Sequence, residues 1–476
     1  MSDSLGPNGE RAIDPISKRQ LVWLGAIVAL GLVLRIVGIQ SQPLWSDEAL
    51  TLLIAQHPVP DLFLNPIDPT PGLFYSLHQL LIGPNAGLFA ARSISLVAGT
   101  LAIVAVYVTA RVSQIPALLA ALFAALSFPL IDYSQEARAY SLLVLLTIMS
   151  GAAFIWWGRS NRLVALFCFM AFALLSFYTH FVAVLWIAPM VVAFLYLAWR
   201  NPSIRGHVRL ILILMALFAV PESKRLLDYP QEFFSWLTQA STIEALNTVS
   251  YVQLPFGLFE NAYWQLGPEL TAIASLSCYG LLAILAIRHR NKLKQWANRN
   301  QAAAIVVMIW LSVPVSVWLF GFITKPIFLP RTILVSVPGF ALMLALFLKF
   351  ENRIITFFVC GLFVMSLAFT GTVRPKENWR MVASYLESNV RSGDVVLLCP
   401  AWKAMAFRHA FRTGVDAPLL LIGDGGTWLI EPKLGSSPNW PKEYFELLRQ
   451  ARGGAEAQIA MQNANRIWRI SSNCPR

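Results

Sequence analysis

Apolar runs dominate this chain, and most of its polar residues sit in the connections between them. Leu21 to Ile39 is one such run, and about 20 apolar residues suffice to cross a bilayer. The same pattern predicts spanning helices over 20–39, 86–110, 115–131, 138–157, 163–179, 181–199, 207–220, 269–287, 302–322, 330–348 and 353–371. The total is about eleven helices. The run 207–220 is short and ends at Pro221. The first run is too long for a signal-peptide core, so it reads as an uncleaved anchor.

The pattern changes after residue 371. Helical periodicity over Glu377 to Val390 is followed by a strand-like run, Asp394 to Leu398. A helix is predicted over Trp402 to Arg412. A strand follows over Leu419 to Ile422, then the turn Gly423-Asp424-Gly425-Gly426. Pro441 to Arg452 reads as a helix and Arg466 to Ile470 as a last strand. Alternating elements of this kind predict a small α/β unit. The expected organisation is therefore a polar tail at 1–19, a mainly α transmembrane domain at 20–371 and a soluble α/β domain at 372–476.

Composition agrees: hydrophobic residues are 57% of the chain, charged residues 13%, and mean hydropathy is +0.60. The formal charge of +12 does not imply nucleic acid, because no basic patch with interleaved aromatics occurs. Instead the cations sort by loop. Arg111, Arg159, Arg162, Arg200, Arg205, Arg209, Arg288, Arg290, Lys292, Lys294, Arg299, Lys349 and Arg353 occupy alternate connections. The opposite connections hold Asp47, Glu48, Asp61, Asp68, Asp132 and Glu136, with few cations. The positive-inside rule then puts the N-terminus in the cytoplasm and residues 372–476 outside. Cys168, Cys278 and Cys360 lie in apolar runs and read as core residues. Cys399 and Cys474 follow predicted strands in what would be an oxidising compartment, so a disulfide between them is expected.

In this topology the unusual polar residues share one membrane surface. The first outer loop carries Trp45, Asp47 and Glu48, then Tyr75 and His78, which are three apart and share a helix face. Arg35 lies one turn before the end of the first run. The second outer loop carries Glu136, Arg138 and Tyr140, and the third is a turn at His180. The fourth, Glu222 to Glu269, is long and aromatic and reads as interfacial helices, and the fifth carries Lys325 and Arg331. Singly, each has a bland reading as an interfacial anchor or capped helix end. Together they supply a carboxylate base and cations for a leaving phosphate beside hydrocarbon, as transfer chemistry on a lipid phosphate requires.

Trp45-Ser46-Asp47-Glu48-Ala49 resembles the first-loop acidic motif of the C-type glycosyltransferases. Ser134-Gln135-Glu136-Ala137-Arg138-Ala139-Tyr140 is similar to the second-loop motif of bacterial members related to protein O-mannosyltransferases and the lipid A aminoarabinose transferase. Pro330-Arg331, Trp379-Arg380 and Ser392-Gly393-Asp394-Val395-Val396 resemble later landmarks of that group. The resemblance implies inverting transfer of a sugar from a polyprenyl-phosphate donor to a lipid, glycan or protein acceptor outside the cytoplasm, in a bacterial inner membrane. Asp47 is then the expected base, with Glu48 beside it in a different role. Arg138, Arg331 and Lys325 are the expected donor-phosphate ligands. Arg35, Trp45, Tyr75, His78, Glu136, Tyr140 and His180 are the expected pocket residues. Relatives often carry a His-Pro-Pro-like stretch where this chain has Asp68-Pro69-Thr70-Pro71, which leaves a divalent metal open as a cofactor. The rival reading is a transporter or flippase of lipid-linked saccharides, although transporters more often place such groups at the bilayer midplane within internal repeats.

The cation asymmetry makes a direct prediction. A C-terminal alkaline phosphatase fusion is expected to be active and a green fluorescent protein fusion dark. The reverse pattern would dissolve the shared polar surface.

Overall fold

The computed structural model describes residues 15–64, 70–83, 87–200, 208, 212–213, 215–216, 238–324, 326–370, 379–399, 403–404, 406–407, 417–423, 426–431 and 455–471. The chain forms two compact units. One comprises residues 1–37, 59–77 and 92–374, the other 38–58, 78–91 and 375–476.

The first unit is helical. Helices α1 (Lys18–Ile36), α5 (Leu88–Val112) and α8 (Tyr140–Ser160) are each long and apolar enough to cross a membrane. So are α10 (Val184–Arg200) with the 3-10 turn that leads it, the Gly267–Arg288 part of α12 (Phe256–Arg288), and α14 (Gln301–Ile323). The seventh is the stretch Pro330–Leu348, made of α15 (Pro330–Ile333), a 3-10 turn and α16 (Val337–Leu348). An eighth is broken: α6 (Ala117–Leu126) and α7 (Phe128–Ser134) meet at 59°. Two shorter apolar helices, α9 (Leu163–Thr179) and α17 (Arg353–Thr370), complete the set among the described residues. Ten of the eleven predicted runs thus fall on helices, and most of 207–220 lies outside the described residues. Within the fourth outer connection, α11 (Thr242–Gln253) and the start of α12 are helical, and residues 222–237 lie outside the described residues. Stacked Trp186 and Trp310 (4.8 Å, 11°) lock α10 to α14 in the core.

The bend in the eighth span has an identifiable cause. Pro129 has no N–H to give to the carbonyl of Ala125, and its ring crowds that carbonyl. Arg35 supplies the missing donors. Its Nη1 donates to Ala125 O (3.3 Å) and Gly31 O (2.9 Å), and its Nη2 to Ala124 O (3.2 Å). A cation at a helix C-terminus also complements the macrodipole. Gln135 returns the favour to α1: its Nε2 donates to the carbonyls of Leu34 (3.3 Å), Arg35 (3.1 Å) and Val37 (2.7 Å). Close approach is needed for this exchange. Any side chain at position 99 would collide with Ser134, which explains Gly99. Arg35 is fully buried in this arrangement and caps α6.

At the other ends of the helices, the cation-bearing connections meet one another. The basic helix α13 (Arg290–Arg299) bonds to the α5–α6 turn through Trp296 Nε1 to Ser113 O (2.8 Å). Asn300 reaches Gln114 (3.3 Å), and Lys349 Nζ reaches the Gln114 carbonyl (3.1 Å). Arg159 donates to Val112 O, and His289 pairs with Glu351 at 2.6 Å.

The second unit is α/β. Its sheet has the order β3-β2-β1-β4, with β1 (Val395–Cys399) parallel to both β2 (Leu419–Gly423) and β4 (Ile467–Ser471). The predicted turn at 423–426 opens an antiparallel hairpin to β3 (Gly426–Glu431), a strand the sequence pattern had not marked. On one face pack α18 (Trp379–Asn389) and, from the first outer loop, α2 (Ser46–Ile54): Ala49 and Leu53 join Trp379, Leu386, Val396 and Leu419 in one core. On the other face α19 (Ala455–Gln462) covers Val395, Leu397 and Leu420 through Ala457. The predicted helix over 441–452 lies outside the described residues. Before β1, Gly393 takes a positive φ of 85° and Asp394 accepts from Arg466 (2.7 and 3.1 Å), Trp468 Nε1 (2.9 Å) and Arg391 N–H (2.9 Å). The Arg466 guanidinium holds the Asp394 carboxyl well below the usual carboxylate range. Cys399 is disulfide-bonded while Cys168, Cys278 and Cys360 are free, which leaves Cys474, outside the described residues, as the remaining cysteine of the chain.

The Arg35 capping arrangement generates a stability prediction. Arg35→Met keeps length and bulk but removes every donor, and losing charge-assisted hydrogen bonds of this kind costs about 1.5–3 kcal/mol. The melting temperature in detergent, followed by tryptophan fluorescence, is expected to fall, and Arg35→Lys to restore part of it. An unchanged midpoint for Arg35→Met would refute the capping role.

Candidate active site

The residues singled out in the sequence fall in both units. In the helical unit the turn between α7 and α8 holds the second-loop residues. The Arg138 N–H donates to Glu136 O (2.8 Å), and Ser95 of α5 donates its hydroxyl to Arg138 O (2.9 Å), so the backbone is fixed on both sides. Glu136, Arg138 and Tyr140 are all buried. The Arg138 guanidinium lies 5.9 Å from the centre of the Tyr140 ring. That ring stands 5.5 Å from the His180 imidazole and 5.4 Å from Tyr133.

His180 occupies the break between α9 and α10. Its Nδ1 accepts the Val182 N–H (3.2 Å), capping the 3-10 turn. With Nδ1 an acceptor, the neutral ring carries its proton on Nε2 and can donate from there. Burial, then the charges of Arg138 and Arg331, push its pKa down to about 3. A field of two guanidinium groups is therefore felt at one neutral imidazole. Arg331 follows Pro330 at the start of α15 and is half-buried, and Thr332 ties that start to the carbonyls of Ile327 and Leu329 (2.8 Å each). Four residues predicted from separate loops, Arg138, Tyr140, His180 and Arg331, thus belong to one neighbourhood. Tyr133, which the sequence reading had not singled out, joins them through its ring; its place immediately before that motif was the available signal. Tyr75 is also in this unit, buried edge-on to Phe74.

In the α/β unit, Asp47 and Glu48 lie in the first turn of α2, where carboxylates complement the helix dipole. Glu48 is fully buried and its Oε2 accepts from the Trp45 N–H (3.4 Å), holding the entry to the helix. Asp47 is only half-buried. His78, near the end of α4 (Leu73–Leu81), is buried, and that burial lowers its pKa against an opposing bond to the Ala91 backbone. Lys325 lies outside the described residues, as does Asp68. No group of three His, Cys, Asp or Glu side chains placed to share a metal ion occurs among the described residues.

The fold has solved counterparts. ArnT from Cupriavidus metallidurans bound to undecaprenyl phosphate superposes with a TM-score of 0.55 at 13% identity, over 90% of this chain and 95% of that one. Its apo form gives 0.54 at 12% identity, over 91% and 95%. The chain has the fold of the C-type glycosyltransferases. An oligosaccharyltransferase from Archaeoglobus fulgidus matches more loosely, with a TM-score of 0.45 at 12% identity over 82% of this chain and 63% of that one. No protein-family model matches the chain, and comparison with curated proteins gives no match. At these identities the likeness is one of fold, so the chemistry rests on the residues themselves.

The depressed pKa of His180 has a measurable consequence. The unfolded chain takes up a proton as pH falls below about 6.5, whereas folded His180 stays neutral to about 3. Its contribution to stability is therefore full above pH 6.5 and is lost as pH falls towards 3, with a limiting slope of about 1.4 kcal/mol per pH unit. Replacing it by His180→Gln is expected to flatten the fall in melting temperature between about pH 6.5 and 5. Parallel curves for the two proteins would show that the imidazole titrates normally.

Proposed function

We propose that the protein is an inverting glycosyltransferase, transferring a hexosyl or pentosyl group from a polyprenyl-phosphate donor to a lipid, glycan or protein acceptor outside the cytoplasm. The observation that carries this reading is the cluster of Arg138, Arg331 and neutral His180 in a chain sharing its fold with a protein whose structure holds undecaprenyl phosphate. Two guanidinium groups suit a phosphate that gains charge as it leaves, because each offers a planar fork of donors. A third cation would be costly without the anion, and His180 is not one. Its Nε2–H can serve the same phosphate as a neutral donor. The disulfide at Cys399 supports placing the α/β unit in an oxidising compartment, as in a bacterial periplasm.

The reaction breaks one bond and forms one. The acceptor hydroxyl oxygen attacks the anomeric carbon from the face opposite the phosphate. The bond from that carbon to the phosphate oxygen breaks, and its electron pair leaves on the phosphate. The hydroxyl proton passes to a carboxylate. Asp47 is the proposed base, since Glu48 is engaged in holding Trp45 and Asp47 is the more accessible of the two. Arg138 and Arg331 stabilise the departing lipid phosphate.

Purified protein given a labelled polyprenyl-phosphate sugar is expected to release lipid phosphate only when an acceptor is present. Passage of the intact donor across vesicles without cleavage would favour a flippase instead. Asp47→Asn retains size at the second position of α2, so its turnover should fall by roughly 10²–10⁴-fold while folding is preserved. Arg138→Ala and Arg331→Ala should each weaken donor use by about 1.5–3 kcal/mol. Near-normal turnover in a folded Asp47→Asn enzyme would remove the base assignment and make Glu136 the next carboxylate to test.

A further inference from the structure

At the cation-rich ends of the helices lies a cavity of about 190 Å³, lined by Arg159 at the end of α8, Arg299 at the end of α13, and Asn298, Asn300 and Gln301 between them. Ile155 and Leu197 form apolar wall. The space is several times the ~30 Å³ share of one water molecule. Ala302 and Ala303, in the first turn of α14, also face it. Both are buried, and Asn300 at the N-cap makes no capping bond with its side chain. The opening amides of a 23-residue helix therefore border a cavity flanked by two guanidinium groups. An anion is the partner that both the helix dipole and the arginines favour there.

We propose that this cavity binds the phosphate of an anionic phospholipid. Helix α13 joins two spans, α12 and α14, and so lies where those spans leave the bilayer. It holds Leu293 and Trp296 against the helical core, while Arg290, Lys292, Lys294 and Arg299 are exposed. A basic, juxtamembrane helix beside a pocket between spans recognises anionic headgroups by the same electrostatics that draw polybasic segments to charged membranes. The Asn and Gln side chains at the rim suit the ester oxygens and glycerol hydroxyls of such a headgroup. The site uses none of the residues assigned to sugar transfer, so its test is independent of that reading.

The full-length protein in nanodiscs of equal phosphatidylglycerol and phosphatidylcholine, released and weighed by native mass spectrometry, decides the matter. Wild type is expected to retain phosphatidylglycerol preferentially. Arg299→Gln, an exposed change that leaves packing intact, and Arg159→Gln with Arg299→Gln should lower that preference progressively, by about tenfold in the double variant. Melting temperature should rise with phosphatidylglycerol in wild type and not in the double variant. Equal retention of both lipids by all three proteins would overturn the proposal. So would stabilisation by inorganic phosphate alone without selective lipid retention, which would identify a free-anion site.

Discussion

One proline determines how the helical unit presents its polar residues. Pro129 ends a run of intrahelical hydrogen bonds inside an apolar span, and carbonyls stranded there would be costly in hydrocarbon. Arg35 answers that cost from a helix ninety residues earlier, and Gln135 answers the same cost at the end of the first helix. The two caps are reciprocal, so α1, α6 and α7 behave as one piece. Because α7 leaves at 59°, this span ends in a short turn rather than in a straight helix end. That turn carries Glu136, Arg138 and Tyr140, and its carbonyl at Arg138 is held by Ser95. Arg35 thus supports the segment that carries that turn.

The electrostatics above this support follow from the company His180 keeps. A histidine in a turn between helices would ordinarily be solvated and titrate near neutrality. Here it is enclosed, its Nδ1 is committed to Val182, and two arginines oppose protonation. A bound phosphate would reverse the sign of that local field, easing the repulsion while drawing on all three side chains. The same groups are thus matched to the dianionic leaving group of the proposed reaction.

Much of this was legible in the sequence because a bilayer imposes a strict rule: backbone polar groups in hydrocarbon must be paired within a helix, so spans appear as long apolar runs. Loop motifs were legible because Arg138, His180 and Arg331 interrupt apolar surroundings. What escaped was long-range or irregular. The run 115–131 reads as one span, although Pro129 within it was the available sign of the break. Nothing local to Arg35 shows that its partners are Ala124 and Ala125. The strand β3 escaped notice because the Gly-rich segment before it reads as loop, and α19 because it is short and polar. The membership of α2 in the α/β core was hidden for a similar reason, since Ala49 and Leu386 are far apart in sequence.

That membership bears on why two adjacent carboxylates differ. Ala49 and Leu53 are four apart and share the stripe that α2 buries against Trp379 and Leu386. At about 100° per residue, Asp47 lies about 160° from Ala49 and about 120° from Leu53, and Glu48 about 100° and about 140°, so both acids lie off that stripe. Glu48 is buried and turned back to the Trp45 N–H, while Asp47 is half-buried. A cap made by one acid and a helix dipole that both acids meet thus give neighbouring carboxylates different tasks. Changing Leu53 would then act on Asp47 only through the set of the helix, whereas changing Glu48 would act on its first turn.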